Sequence, residues 1–165
     1  MAAAASTPCC ACQADAVTPL RLLQSVCSSL RSRTSSRVDE NEHWLSLSML
    51  CPEALAGAAE ILDQKSIVQC VARDSRRAFH SVESAGGREK PHACIPGFCT
   101  CKFYSINVAS KPDALVCKHE LAVLLADALG LSLQREVDDD AWAEEFSRAT
   151  SLAMAQFNSL EDGAL

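Results

Sequence analysis

The sequence predicts a small α+β domain in which helices precede a short antiparallel sheet, and a segment bearing cysteine and histidine joins that sheet to a packing helix. Three observations carry this prediction. Apolar residues recur at helical spacing in the first third of the chain, the period drops to two after residue 65, and helical spacing returns from Cys117. At 165 residues, nearly half of them apolar, the chain can fill one core, and residues 18–160 are read as a single domain. Residues 1–17 are read as a disordered N-terminus and 161–165 as a tail.

The elements follow in order. Residues 1–16 are rich in Ala, Ser and Cys without a period, and Cys9, Cys10 and Cys12 have no histidine or second cluster near them. Thr18 suits an N-cap and Pro19 a first helical position; Leu20, Leu23, Cys27 and Leu30 then recur at helical spacing. The arginines and serines of 18–37 also resemble an organelle transit peptide, but the preferred reading is the first helix of the domain. SSRVDENE reads as a polar linker, and Trp44, Leu45, Leu47 and Leu50 as a short apolar helix or turn. Pro52 opens the next helix, with Glu53 where negative charge suits the helix dipole.

SIVQCVA (66–72) and RRAFHSVES (76–84) read as strands, the second alternating Ala78, His80 and Val82 against Phe79 and Ser81. AGG makes a turn and PHACI a further short strand. His80 is expected to be exposed or lightly packed, and His92 to be a loop residue rather than a ligand. Leu121, Leu124, Leu125, Ala128 and Leu129 form the stripe of a helix that Gly130 stops. A last, acidic helix starts at Asp138, Asp139 and Asp140, and its face of Trp142, Phe146, Ala149, Ala153 and Phe157 needs either the domain's own core or a partner.

No run approaches the ~18 apolar residues of a membrane helix, and no membrane role is expected. The net charge of −6 hides a split: residues 65–118 hold 9 basic and 4 acidic side chains (+5), residues 119–165 hold 2 and 10 (−8). A basic face around the centre of the chain can touch phosphates even though the whole is acidic. Ten cysteines would suggest a disulfide framework in a secreted chain, but no positive region and apolar run open this one, so the thiols are expected to be reduced.

Four residues then stand out: Cys99 and Cys101, one residue apart, and Cys117 and His119, one residue apart, with fifteen residues between the pairs. Two close pairs of thiolate and imidazole donors suit tetrahedral Zn²⁺, although a one-residue gap is tighter than common zinc-finger spacings. Two thiols one residue apart on a strand point to the same side, and the second pair opens a helix whose N–H groups favour thiolate. Four protein donors leave no open position, so such a site is structural; Lys102 and Lys118 flank it and can offset its charge. The rival readings are weaker. A catalytic cysteine lacks a local orienting group, HELAV lacks the second histidine of HExxH, and dithiol redox chemistry wants CxxC. Cys27, Cys51 and Cys70 read as core; Cys94 lies near the site and could replace a ligand, but core or loop is preferred.

CxC, a spacer, then CxH, with Ala122 three residues after the histidine, resembles the CxC…CxHxxA motif of SWIM-type zinc finger proteins of the Shu-complex family. The segments WLSLSMLCPEALAGAAEILDQKSI and FCTCKFYSINVASKPDALVCKHELAVLLADAL carry the similarity, which covers roughly residues 40–133. The resemblance implies zinc ligands at Cys99, Cys101, Cys117 and His119 and a packing position at Ala122. It implies an adaptor in homologous recombination, hence in the nucleus, partnered with a RecA-like recombinase paralogue on single-stranded DNA. No GxxxxGK[ST] loop is present, so no nucleotide site, enzyme activity or small-molecule substrate is expected of this chain.

The alternative is a direct single-stranded DNA binder whose phosphate contacts would be Arg73, Arg76, Arg77, Arg88, Lys90, Lys102, Lys111 and Lys118, residues that otherwise are a solvated surface. A ubiquitin-ligase recognition module has only the zinc motif behind it, with no second cluster of RING type.

Overall fold

A computed structural model describes the backbone of residues 19–30, 37–83 and 91–161, and their side chains except those of 37–40 and 152–161. The predictions for residues 1–18, the AGG turn, Arg88, Lys90 and the tail after 161 lie outside the described residues.

Three helices come first. α1 (Pro19–Ser29) buries Leu23 and Cys27. α2 (Arg37–Leu50) covers most of the stretch read as a linker: the helix that buries Leu47 extends back through RVDENE, whose Glu and Arg residues are good helix formers without an apolar stripe to reveal them. α3 (Pro52–Asp63) starts at its proline, as expected, with Glu53 in the first turn, and buries Ala54, Ala58 and Ile61.

The sheet has five strands in the order β4-β3-β2-β1-β5. β1 (Ile67–Ala72), β2 (Ala78–Val82) and β3 (His92–Ile95) are the strands that the sequence predicts, and β4 (Phe98–Cys99) extends them into a four-strand antiparallel meander. β5 (Leu133–Val137) was not foreseen, and it pairs parallel to β1, with Cys70 opposite Arg135. The α+β class holds, but the sheet is therefore mixed. A π-helix (Tyr104–Ser110), α4 (Lys118–Leu129) and α5 (Asp139–Glu161) complete the described elements.

Both faces of the sheet are covered, which is why its strands do not alternate cleanly between apolar and polar. On one face Ile67, Val82, Cys94 and Cys99 join Leu23, Leu47, Ile61, Leu121 and Leu125 of the helices. On the other, Cys70, Ala72, Phe79 and Ala93 meet Trp142 of α5. The Trp142 indole N–H donates to Cys70 O at 3.2 Å, its ring stacks on Phe146 at 5.1 Å, and Phe79 meets both. The apolar face of α5 is thus satisfied, over its described side chains, by the domain's own sheet.

One close approach and one helix stop shape the first face. Gly57 of α3 faces Lys118 of α4, where an added Cβ would lie 2.8 Å from Lys118 Cδ and 3.3 Å from its Cβ. Gly130 ends α4 in the left-handed conformation (φ 68°), the stop that its sequence position predicts. His80 departs from expectation. It is 6% exposed, and its Nε2 lies 3.1 Å from Asp127 Oδ1 of α4, a partner far away in sequence that makes burial of the ring tolerable.

Candidate metal centre

The four residues singled out by spacing converge in space. The ligand atoms of Cys99, Cys101, Cys117 and His119 all lie within 4.8 Å of one another, and all four residues are buried. They arrive from three local structures. Cys99 is the last residue of β4, held opposite Cys94 of β3. Cys101 lies beyond the strand end rather than on a continued strand, and opens the helical turn that leads into Tyr104–Ser110. Cys117 is the N-cap of α4, and His119 sits in its first turn.

The same device serves both distal thiols. Cys101 Sγ accepts from Tyr104 N–H at 3.3 Å, and Cys117 Sγ accepts from Glu120 N–H at 3.4 Å. Each sulfur therefore lies at a helix N-terminus, where free N–H groups favour thiolate. Hydrogen bonds from Cys117 and Cys99 hold the Cys101 thiol far below the usual thiol range. The contact to Cys101, with burial, pushes Cys99 and Cys117 far above it, joined by Cys94 at Cys99 and by Cys99 at Cys117. Three thiolates this close would repel one another, and a cation at their centre would offset that repulsion.

His119 Nδ1 lies 3.9 Å from Cys99 Sγ, while its Nε2 is buried without a hydrogen-bond partner among the described residues. A buried imidazole with an unmet nitrogen is costly, and ligation by this ring would change that balance. Donors about 2.0–2.3 Å from a common ion stand roughly 3.5–3.8 Å apart in a tetrahedron, so the observed cluster needs only small contraction to close on Zn²⁺. Residues and geometry fit the ion.

A clamp that the sequence reading missed surrounds the cluster. Pro96 and Gly97 turn β3 into β4, with Gly97 at φ 78°, the value suited to the third residue of a type II turn. Buried Glu120 accepts from Gly97 N–H through Oε1 at 3.1 Å, and the Tyr104 hydroxyl donates to Gly97 O. Burial pushes the Glu120 carboxyl up, against the Gly97 hydrogen bond. Only tertiary structure shows these contacts; Glu120 had been noticed only as part of a failed HExxH. His92 proves to be a β3 residue, not a loop residue, and its ring lies 4.3 Å from that of His119. Ala122 is fully buried one turn below His119, where the helix start leaves little room.

Comparison with curated proteins gives matches to zinc finger SWIM domain-containing protein 7 from several organisms. The chain is 30% identical to the Mus musculus protein over 109 residues, 65% of this chain and 69% of the mouse one. The chain belongs to this SWIM zinc finger family. The Homo sapiens family member matches at 28% over 125 residues, 72% of this chain and 87% of its own length. The Danio rerio member matches at 32% over 93 residues, 55% of this chain, and the match spans 64% of the zebrafish protein. No protein-family model and no solved structure matches the chain. Membership and the buried cluster together make this a zinc-binding SWIM domain protein.

Of the expected phosphate-contacting residues, the three arginines of the β1–β2 connection carry carboxylate partners. Arg73 pairs with Glu136 at 3.5 Å and with Asp138, Arg76 with Glu136 at 3.6 Å, and Arg77 with Asp139 at 3.4 Å. Arg77 also lies over the Trp142 ring, 4.8 Å from its centroid. The acidic segment after α4 thus folds onto the basic one. Lys102, Lys111 and Lys118 are exposed near the cysteine pairs, without such carboxylate partners among the described residues.

Proposed function

We propose that this chain is a non-enzymatic, zinc-stabilised adaptor for homologous recombination DNA repair, working in the nucleus beside a RecA-like recombinase paralogue. The carrying observation is the buried cluster of three cysteines and one histidine in a SWIM-family chain. Cys99, Cys101, Cys117 and His119 are its zinc ligands, and with four protein donors the ion holds structure and activates no water. The partner would supply any ATP chemistry, since the sequence carries no phosphate loop.

The pairing of Arg73, Arg76 and Arg77 with carboxylates favours the adaptor over the direct single-stranded DNA binder, because those cations are already engaged. The exposed Leu45 (63%) and Met49 (77%), one turn apart on α2, offer the partner an apolar contact. Lys102, Lys111 and Lys118 keep the DNA-binding reading as the second one.

The test begins with metal content. One zinc per chain is expected, with loss of metal and of folding in a Cys117→Ala/His119→Ala double variant. Co-purification with RecA-like paralogues should then succeed for the wild type and fail for Leu45→Glu/Met49→Glu that keeps its zinc. Steeply salt-dependent binding of single-stranded DNA by the isolated chain would instead support the second reading. A folded wild-type chain without metal would overturn the zinc assignment.

A further inference from the structure

A fourth thiol touches the metal cluster without belonging to it. Cys94 Sγ lies 3.3 Å from Cys99 Sγ, and both residues are 1% exposed. The backbone sets this contact. Cys94 and Cys99 are directly opposed in the β3–β4 hairpin. Thr100 N–H donates to Ala93 O at 3.1 Å, so Ala93/Thr100 is a hydrogen-bonded pair. In an antiparallel ladder the next pair, Cys94/Cys99, is then non-hydrogen-bonded, the kind whose Cα atoms stand only about 4.5 Å apart with their side chains closest. That separation falls within the range that a disulfide spans, and the sulfurs need to approach by only about 1.3 Å to reach bonding distance.

We propose that Cys94 is a resolving thiol for Cys99, so that hydrogen peroxide converts the pair to a cross-strand disulfide and takes one donor from the zinc set. The proposal rests on Cys99 being a ligand. The reaction balances as follows. The Cys99 thiolate attacks the peroxide oxygen, the O–O bond breaks, and with one proton taken up a sulfenic acid and water form. Cys94 sulfur then attacks the Cys99 sulfur, the S–O bond breaks, and the departing hydroxyl takes the Cys94 proton as a second water. The two sulfurs lose two electrons and the peroxide gains them. Cys94 suits the resolving role better than Cys101 or Cys117, because it is not one of the four clustered donors and its thiol is not committed to the ion. Cys101 is disfavoured further by lying only one residue from Cys99, beyond the strand end.

The experiment treats the purified full chain with hydrogen peroxide, following zinc release with a chromogenic chelator and mapping disulfides by mass spectrometry without reduction. A peptide joining Cys94 to Cys99 should accumulate in step with zinc release, and Cys94→Ala should release zinc at least about tenfold more slowly. Cys99 joined to Cys101 or Cys117, or equal release from both chains, would overturn the proposal. If the variant fails to fold, disulfide mapping in the wild-type chain decides alone. The zinc content before oxidation tests the metal assignment separately: a chain that starts without zinc but still forms the Cys94–Cys99 bond refutes the assignment and the coupling to zinc, not the pairing.

Discussion

Trp142 measures how firmly α5 belongs to the domain, and hence whether its apolar face is available to a partner. Its side chain is 8% exposed, packs on Phe79 and Phe146, and donates one hydrogen bond to Cys70 O. Trp142→Ala removes a buried aromatic, a change that costs about 3–5 kcal/mol. Trp142→Phe keeps most of the burial but loses the N–H donor, while Cys70 O keeps its place in the β1–β2 ladder, for a cost of about 0.5–1.5 kcal/mol. Urea unfolding followed by far-UV circular dichroism gives both numbers without relying on the fluorescence of the mutated residue. The midpoint should fall in that order with little change in m. A Trp142→Ala cost below about 1 kcal/mol would refute the docking of α5 on the sheet, and its aromatic face would then be free for another protein.

Three further outcomes are expected. The Asp139 carboxylate accepts from the Ser75 side chain and the Asp74 and Ser75 N–H groups, and its pKa is lowered to about 2. A lowered folded value adds stability above the unfolded pKa of about 3.9, and this contribution is lost as pH falls from about 4 to about 2; acid titration of Asp139→Asn should lack that component. Gly57→Ala should be close to neutral, since the flexible end of Lys118 can yield while helix propensity improves, whereas Gly57→Val should cost about 1–3 kcal/mol in thermal or urea melts by forcing α3 from α4. Burial, with Cys51 beside it, raises the Cys27 thiol to about 11, so iodoacetamide at neutral pH should label Cys27 only after unfolding, as peptide mapping would show.

The parts that the sequence revealed are those governed by local rules. Pro52 and Gly130 mark helix ends, the period of SIVQCVA marks a strand, and two donor pairs mark the metal centre. What it hid depends on distant partners. β5, LQREV, is largely exposed and is a strand because β1 lies beside it. His80 is buried because Asp127 lies 47 residues away to receive it. The N-terminal half of α2 carries no apolar stripe, so nothing distinguishes it from a linker. The basic middle of the chain suggests a phosphate surface; the acidic segment that follows supplies carboxylate partners for Arg73, Arg76 and Arg77, a pairing visible only once β5 and α5 are in place.

The parallel β1–β5 pairing also sets an order of assembly. Cys70 and Arg135 are 65 residues apart, and the whole metal motif lies within the loop that their strands close. Closing so long a loop in an open chain costs more entropy than closing it after the meander, the Cys101–Cys117 junction and α4 have already shortened the path. β5 should therefore be the last strand to gain amide protection during refolding and the first to lose it in native-state hydrogen exchange, with the metal knuckle acting as the splice that makes the final closure short.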